Sequence, residues 1–79
     1  MRWGISLTRR AVKELYALDR MLVPNVWAVL RELIEDPSAV NIQSAEDDPS
    51  LFWLAVEGDV AIFFEIVDEK QTIVVVRIE

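Results

Sequence analysis

LFWLAVEGDVAIFFEIVDEKQTIVVVRIE, residues 51–79, reads as three consecutive strands of an antiparallel meander. Leu51–Glu57 turns at Gly58-Asp59 into Val60–Val67, which turns through Asp68–Gln71 into Thr72–Glu79. A two-residue loop opening with Gly between β-rich segments is a strong hairpin signal, because Gly tolerates the positive φ such turns demand. Side chains alternate between the faces of a strand, so the polar positions Glu57, Glu65, Arg77 and Glu79 mark one face as solvent-facing. Phe52, Leu54, Val56, Val60, Ile62, Phe64, Ile66, Val74, Val76 and Ile78 then face a covering layer. The opposite face is expected to carry Leu51, Trp53, Ala55, Ala61, Phe63, Ile73 and Val75. A sheet covered on one side normally shows water a polar face. Here Trp53, Phe63, Ile73 and Val75, rimmed by Glu57, Glu65 and Arg77, are expected to form a partner-binding patch. The competing expectation is that residues 38–50 or the amino terminus fold over it.

The covering layer lies upstream. Trp3, Ile5 and Leu7 alternate with Arg2, Gly4 and Ser6, a half-buried strand. Thr8 caps a helix expected over residues 9–22. On it Ala11, Leu15, Leu18 and Leu22 fall within about 60° of arc. Arg9, Lys13 and Arg20 cluster within about 40° on the other side, with Arg10 beside them and Tyr16 at their edge. Pro24 suits the first turn of a second helix that runs to about Glu35 and stops before Pro37. Its apolar positions cover about 160° of arc, enough to touch both the first helix and a sheet. Residues 38–50 read as a polar loop. The order is β-α-α-β-β-β, a helical hairpin on one face of an antiparallel sheet, an α+β fold in one domain over residues 1–79.

Composition narrows the function. Seventy-nine residues make one small core, which gains from a partner. An apolar fraction of 53% excludes disorder. The chain has no Cys and no His, so thiolate sites, disulfides and the usual imidazole base are excluded, and no metal or cofactor site is expected. The acids Glu46, Asp47 and Asp48 lack the alternation and central Gly of a calcium loop. No apolar run approaches the ~20 residues of a membrane span, and Met1–Ser6 has no signal-peptide pattern, so a cytoplasmic protein is the expectation. The net charge of −6 is segregated. Residues 1–31 hold six basic and two acidic residues, +4, and residues 32–79 hold two basic and twelve acidic ones, −10. That division predicts faces of opposite potential.

Four strings in order, ISLTRRAVKELYALD (5–19), VLRELIEDP (29–37), EGDVAIFFEI (57–66) and TIVVVRI (72–78), resemble the RelE/ParE superfamily of small bacterial toxins. They span nearly the whole chain except residues 38–50. The resemblance implies a toxin-like component of a type II toxin–antitoxin module, with an antitoxin-like protein or a second copy as partner. It also implies that the first helix, with Arg9, Arg10, Lys13 and Arg20, contacts RNA or the ribosome, or docks a partner. Two departures bear on activity. Members that cut messenger RNA carry an aromatic and an Arg in a Gly-Asp-Tyr-Arg-like string, which reads Gly58-Asp59-Val60-Ala61 here. Their chains also continue past the last strand into a tail with His, Arg or Tyr, expected to be missing after Arg77-Ile78-Glu79.

Cutting RNA through its 2′-hydroxyl needs a base, an acid and cations for the developing phosphorane charge. The outer face offers Glu57 and Glu65 with Arg77 as its cation, so binding without the usual RNA cleavage is the expectation, and no catalytic residue is assigned. An active ribosome-dependent endoribonuclease, a gyrase inhibitor, and an orphan regulatory or structural protein dimerising through the outer sheet face are the alternatives.

Overall fold

A computed structural model describes residues 3–79, with Ala39 as backbone only. Met1 and Arg2, counted above with the basic half and the first strand, lie outside the described residues. The elements run β1 (Gly4–Leu7), α1 (Arg9–Ala17), α2 (Val23–Glu35), β2 (Gln43–Ser44), β3 (Phe52–Val56), β4 (Val60–Val67) and β5 (Thr72–Ile78). Short 3₁₀ turns follow α2 at Pro37–Ala39 and join β4 to β5 at Asp68–Lys70. The sheet order is β1-β5-β4-β3-β2. The meander β3-β4-β5 is antiparallel, as the sequence predicts, and both helices pack on one face of the sheet in an α+β arrangement. The sheet as a whole is mixed, because β1 lies parallel to β5 at one edge. At the other edge two residues of the 38–50 segment form β2 against Phe52 and Trp53. Ala45 of the same segment and Leu51 just after it are buried, joined by a 2.9 Å bond from the Ala45 N–H to the Leu51 carbonyl.

α1 stops five residues short of its expected end. Leu18 turns to extended backbone, with φ −69° and ψ 154°. Asp19 then accepts from the Met21 N–H through its side chain at 2.9 Å and from the Leu22 N–H through its carbonyl at 2.9 Å. A short side-chain acceptor of this kind competes with the helical ladder and favours a turn. Leu18 and Leu22 still reach the core, from the turn rather than from a helix face.

The main correction lies in β5. Ile62 faces Ile78 and Phe63 faces Arg77, but Phe64 faces Val75, so Val76 is an extra residue on β5 and the pairing shifts there. A bulge reverses the inward–outward phase of everything beyond it. Ile73 and Val75 therefore point inward and are wholly buried, contrary to their expected place in the outer patch. Val74, opposite Glu65, takes the outer face instead. The bulge is held by α1. The Thr8 hydroxyl donates to the Val76 carbonyl at 2.7 Å while accepting from the Ala11 N–H at 3.1 Å. The Ile78 N–H donates to Glu14 Oε1 at 3.0 Å. Pairing with β1 ends at Val75, and these α1 side chains then satisfy the edge groups of β5 that β1 no longer reaches.

The core between the layers joins Ala11, Leu15, Val26, Leu30 and Leu33 of the helices to Leu54, Ile62, Phe64, Ile73, Val75 and Ile78 of the sheet. The β3–β4 turn is fitted to the helical hairpin. Gly58 and Asp59 have φ of +101° and +61°, and the Asn25 side chain donates to the Glu57 carbonyl at 3.5 Å. A Cβ on Gly58 would stand 2.4 Å from Leu22 Cδ2. That methyl can swing aside, so the backbone conformation dominates the cost. Gly58→Ala is expected to lower stability by about 1–2 kcal/mol, read as a shifted urea midpoint at unchanged m-value.

Two Asp-Pro-Ser turns bracket the segment between α2 and β3. Asp36 accepts from the Ser38 hydroxyl at 2.6 Å and N–H at 3.1 Å, and Asp48 accepts from the Ser50 hydroxyl at 2.7 Å and N–H at 3.0 Å. These bonds, the hydroxyl's first and the N–H's second, hold both carboxyls below the ordinary aspartate value. A depressed folded pKa contributes stability that is present above the unfolded value and lost as pH falls through the folded one. Asp36→Asn with Asp48→Asn is therefore expected to flatten the acid limb of the melting-temperature profile and leave its shape near neutrality unchanged.

Candidate functional site

Register fixes what the outer sheet face carries. One row crosses Gln43, Trp53, Phe63 and Arg77. On one side of it lie Ala55, Ala61 and Glu79, and on the other Glu65, Val74 and Ser6. The Trp53 and Phe63 rings stack with centroids 6.4 Å apart and planes at 29°. The Arg77 guanidinium carbon sits 4.1 Å from the Phe63 centroid. Such a cation–π contact contributes about 0.5–2 kcal/mol, more as water is excluded. Arg77 Nε is buried without a hydrogen-bond partner; its 3.8 Å approach to Glu79 Oε1 is an electrostatic contact and too long for a hydrogen bond. The bulge aims Arg77 at this row.

Trp53, Phe63 and Arg77 thus share the outer face, whereas Ile73 and Val75 belong to the core. Trp53 and Phe63 are half-buried rather than open. The chemistry available on this face is aromatic contact, one delocalised cation, and the carboxylates Glu65 and Glu79, with Glu57 exposed in the β3–β4 turn. Strands β3, β4 and β5 contain no other Arg or Lys and no Tyr or His.

The basic residues are elsewhere. Arg9, Arg10 and Lys13 are exposed on α1, on the other side of the molecule from the Trp53 row. Arg10 Nε bonds Glu14 Oε2 at 3.3 Å, which ties it toward β5. Arg20 sits in the turn after α1 and so leaves the helical stripe in which it was expected. Arg9 and Arg10 occupy the first turn of α1, which has no acid, and its last turn has no base. That is the unfavourable sense for the helix dipole, by about 0.3–1 kcal/mol per charge.

The most exposed large apolar side chains also lie on the helical layer. Tyr16 and Met21 are each 83% exposed, with Trp27 at 40% and Val12 at 37%. Helical spacing puts Tyr16 at the edge of the basic stripe, whereas Met21 is hidden by the period of a helix expected to continue to residue 22. An open hollow of about 510 Å³, lined by Arg31, Glu32, Glu35, Asp36 and Val40, adjoins the end of α2. Among the described residues, no helix is long and apolar enough to cross a membrane.

No protein-family model matches the chain, and no curated protein matches it by sequence. Solved structures do. The toxin–antitoxin complex RelBE2 from Mycobacterium tuberculosis aligns with a TM-score of 0.86 and 20% identity, over 100% of this chain and 98% of that one. The fold is RelE-like. The intact RelBE toxin–antitoxin complex of E. coli aligns with a TM-score of 0.79 and 19% identity, over 96% and 93% of the two chains. The archaeal RelE–RelB complex from Pyrococcus horikoshii aligns with a TM-score of 0.75 and 14% identity, over 100% and 94%. At such identities, the RelE-like likeness carries the scaffold and leaves the chemistry to the residues.

Proposed function

We propose that this chain is the toxin-like component of a type II toxin–antitoxin module and that it acts in the cytoplasm by binding protein, without the usual RNA-cleaving chemistry. The solved complexes that share its RelE-like fold are toxin–antitoxin pairs, which supports an antitoxin-like partner here. One observation carries the binding reading. Where phosphate would need cations, the outer face presents stacked Trp53 and Phe63 with Arg77 lying on Phe63, with Glu65 and Glu79 on that face and Glu57 in the adjoining turn. Carboxylates at that density repel a phosphate backbone, and a single guanidinium engaged with a ring is poorly placed to neutralise a phosphorane. The aromatic pair with its guanidinium is instead the residue chemistry of interface hot spots.

The test is co-expression with the polypeptide that the neighbouring reading frame encodes, followed by light scattering on the eluted species. A stable heterocomplex, weakened at least tenfold by Trp53→Ser with Phe63→Ser, is the expected result. A chain that elutes alone beside that polypeptide overturns the proposal.

A further inference from the structure

We infer that β1 is a self-association edge, at which two copies of this chain pair antiparallel across a two-fold axis at Ser6 and join their sheets. The inference stands apart from the toxin reading, because it uses an edge of the sheet and not the Trp53 row on its outer face. The edge is open. β1 closes the sheet on this side and pairs only with β5. The Gly4 N–H donates to the Gln71 carbonyl and the Thr8 N–H to the Val75 carbonyl, so by alternation the main-chain groups of Ile5 and Leu7 point away from β5. The Trp3 N–H is taken by the Ile34 carbonyl at 2.8 Å, but among the described residues no such bond covers Ile5 or Leu7. A row of unpaired N–H and C=O groups is a template for another strand, normally blunted by charge, proline or shortness. The opposite edge is blunted, since β2 has only two residues. β1 reads Gly-Ile-Ser-Leu, with no charge and no proline.

Three observations make a second copy the occupant. First, Ile5 and Leu7 face the helical layer yet are only half-buried, packed on the rim of the core. Pairing Ile5 with Leu7 of the second copy, and Leu7 with its Ile5, closes both rims with the same surface, as an isologous interface requires. Second, the exposed outer-face residue at the centre of the edge is Ser6, which meets its own copy on the axis. A small neutral side chain tolerates that position, where a charge would face itself. Third, the two ends of β1 carry opposite charge. Past its end, Arg9 stands in the first turn of α1, where the dipole disfavours it, without an ion pair among the described residues. Beside its start lie the end of α2 and the β4–β5 turn, where Glu35, Asp36, Asp68 and Glu69 gather against Lys70. Antiparallel pairing sets each copy's Arg9 against the other's acidic end.

Sedimentation velocity of the full chain over a wide concentration range reads the association. Ser6→Cys reads its geometry, since the chain has no cysteine of its own. With Ile5 and Leu7 in the hydrogen-bonded pairs, the two copies of residue 6 form a non-hydrogen-bonded pair with Cα atoms about 4.5 Å apart, within disulfide range. The expected result is a reversible monomer–dimer equilibrium, with Ser6→Cys oxidising to a dimer at least tenfold faster than Ser44→Cys on the opposite edge. Ser6→Lys should weaken association at least tenfold and leave a folded monomer. Arg9→Glu should weaken it at least threefold, and adding Asp68→Lys with Glu69→Lys should restore it. Trp53→Ser should dimerise unchanged, which separates this outcome from failure of the sheet-face proposal. A chain that stays monomeric at every concentration overturns the inference, as does equal crosslinking of the two cysteine variants. So does association that Trp53→Ser abolishes and Ser6→Lys spares, or an edge that pairs only when the polypeptide of the neighbouring reading frame is added.

Discussion

Val75→Asp is expected to abolish folding, whereas Val74→Asp should leave a cooperatively folded protein. The two residues are neighbours on β5, yet Val75 is wholly buried opposite Phe64 and Val74 lies on the outer face opposite Glu65. A carboxylate at 75 would enter the core with no cation to pair it, since no polar or charged residue is buried among the described residues. Removing a charge from water without a partner costs at least several kcal/mol, comparable with the ~5–15 kcal/mol that stabilises a whole domain. At position 74 the carboxylate stays at the surface and adds mild repulsion from Glu65, about 1 kcal/mol or less. Circular dichroism and urea unfolding of the pair read the difference directly. The opposite ranking would mean that β5 runs without its bulge at Val76.

The second large effect is at Phe64. It heads the largest fully buried side chains, and its ring lies 6.1 Å from that of Phe52. Phe64→Ala should therefore destabilise by about 3–5 kcal/mol, through lost transfer energy and the cavity left behind. A small domain has little reserve, so the variant should melt far below the parent, and Phe64→Leu should recover most of the loss. Calorimetry of the three proteins checks both statements.

These contrasts also mark what could be read from the sequence. The meander, the Thr8 cap, the stop before Pro37 and the α+β layering follow from period, turn chemistry and proline, all local properties. The bulge does not. It depends on the Thr8 hydroxyl reaching the Val76 carbonyl and Glu14 reaching the Ile78 N–H, contacts across more than sixty residues that no two-residue alternation contains. Of the outer patch, Trp53 and Phe63 precede the register shift on the pairing ladder and were legible. Ile73 and Val75 follow it, so unbroken alternation puts them on the wrong face. The end of α1 escaped for a similar reason: Leu18 and Leu22 keep helical spacing and reach the core, yet Asp19 folds the chain into a turn between them. The exposure of Met21 follows from that turn and not from a helical period.

The central proposal is that a RelE-like scaffold here binds protein and does not cut RNA. Purified chain incubated with translating ribosomes, with the message read by primer extension, tests it most directly. The account predicts full-length message at every concentration of the protein. Cut message, lost when Arg77→Ala replaces the parent chain, would contradict it.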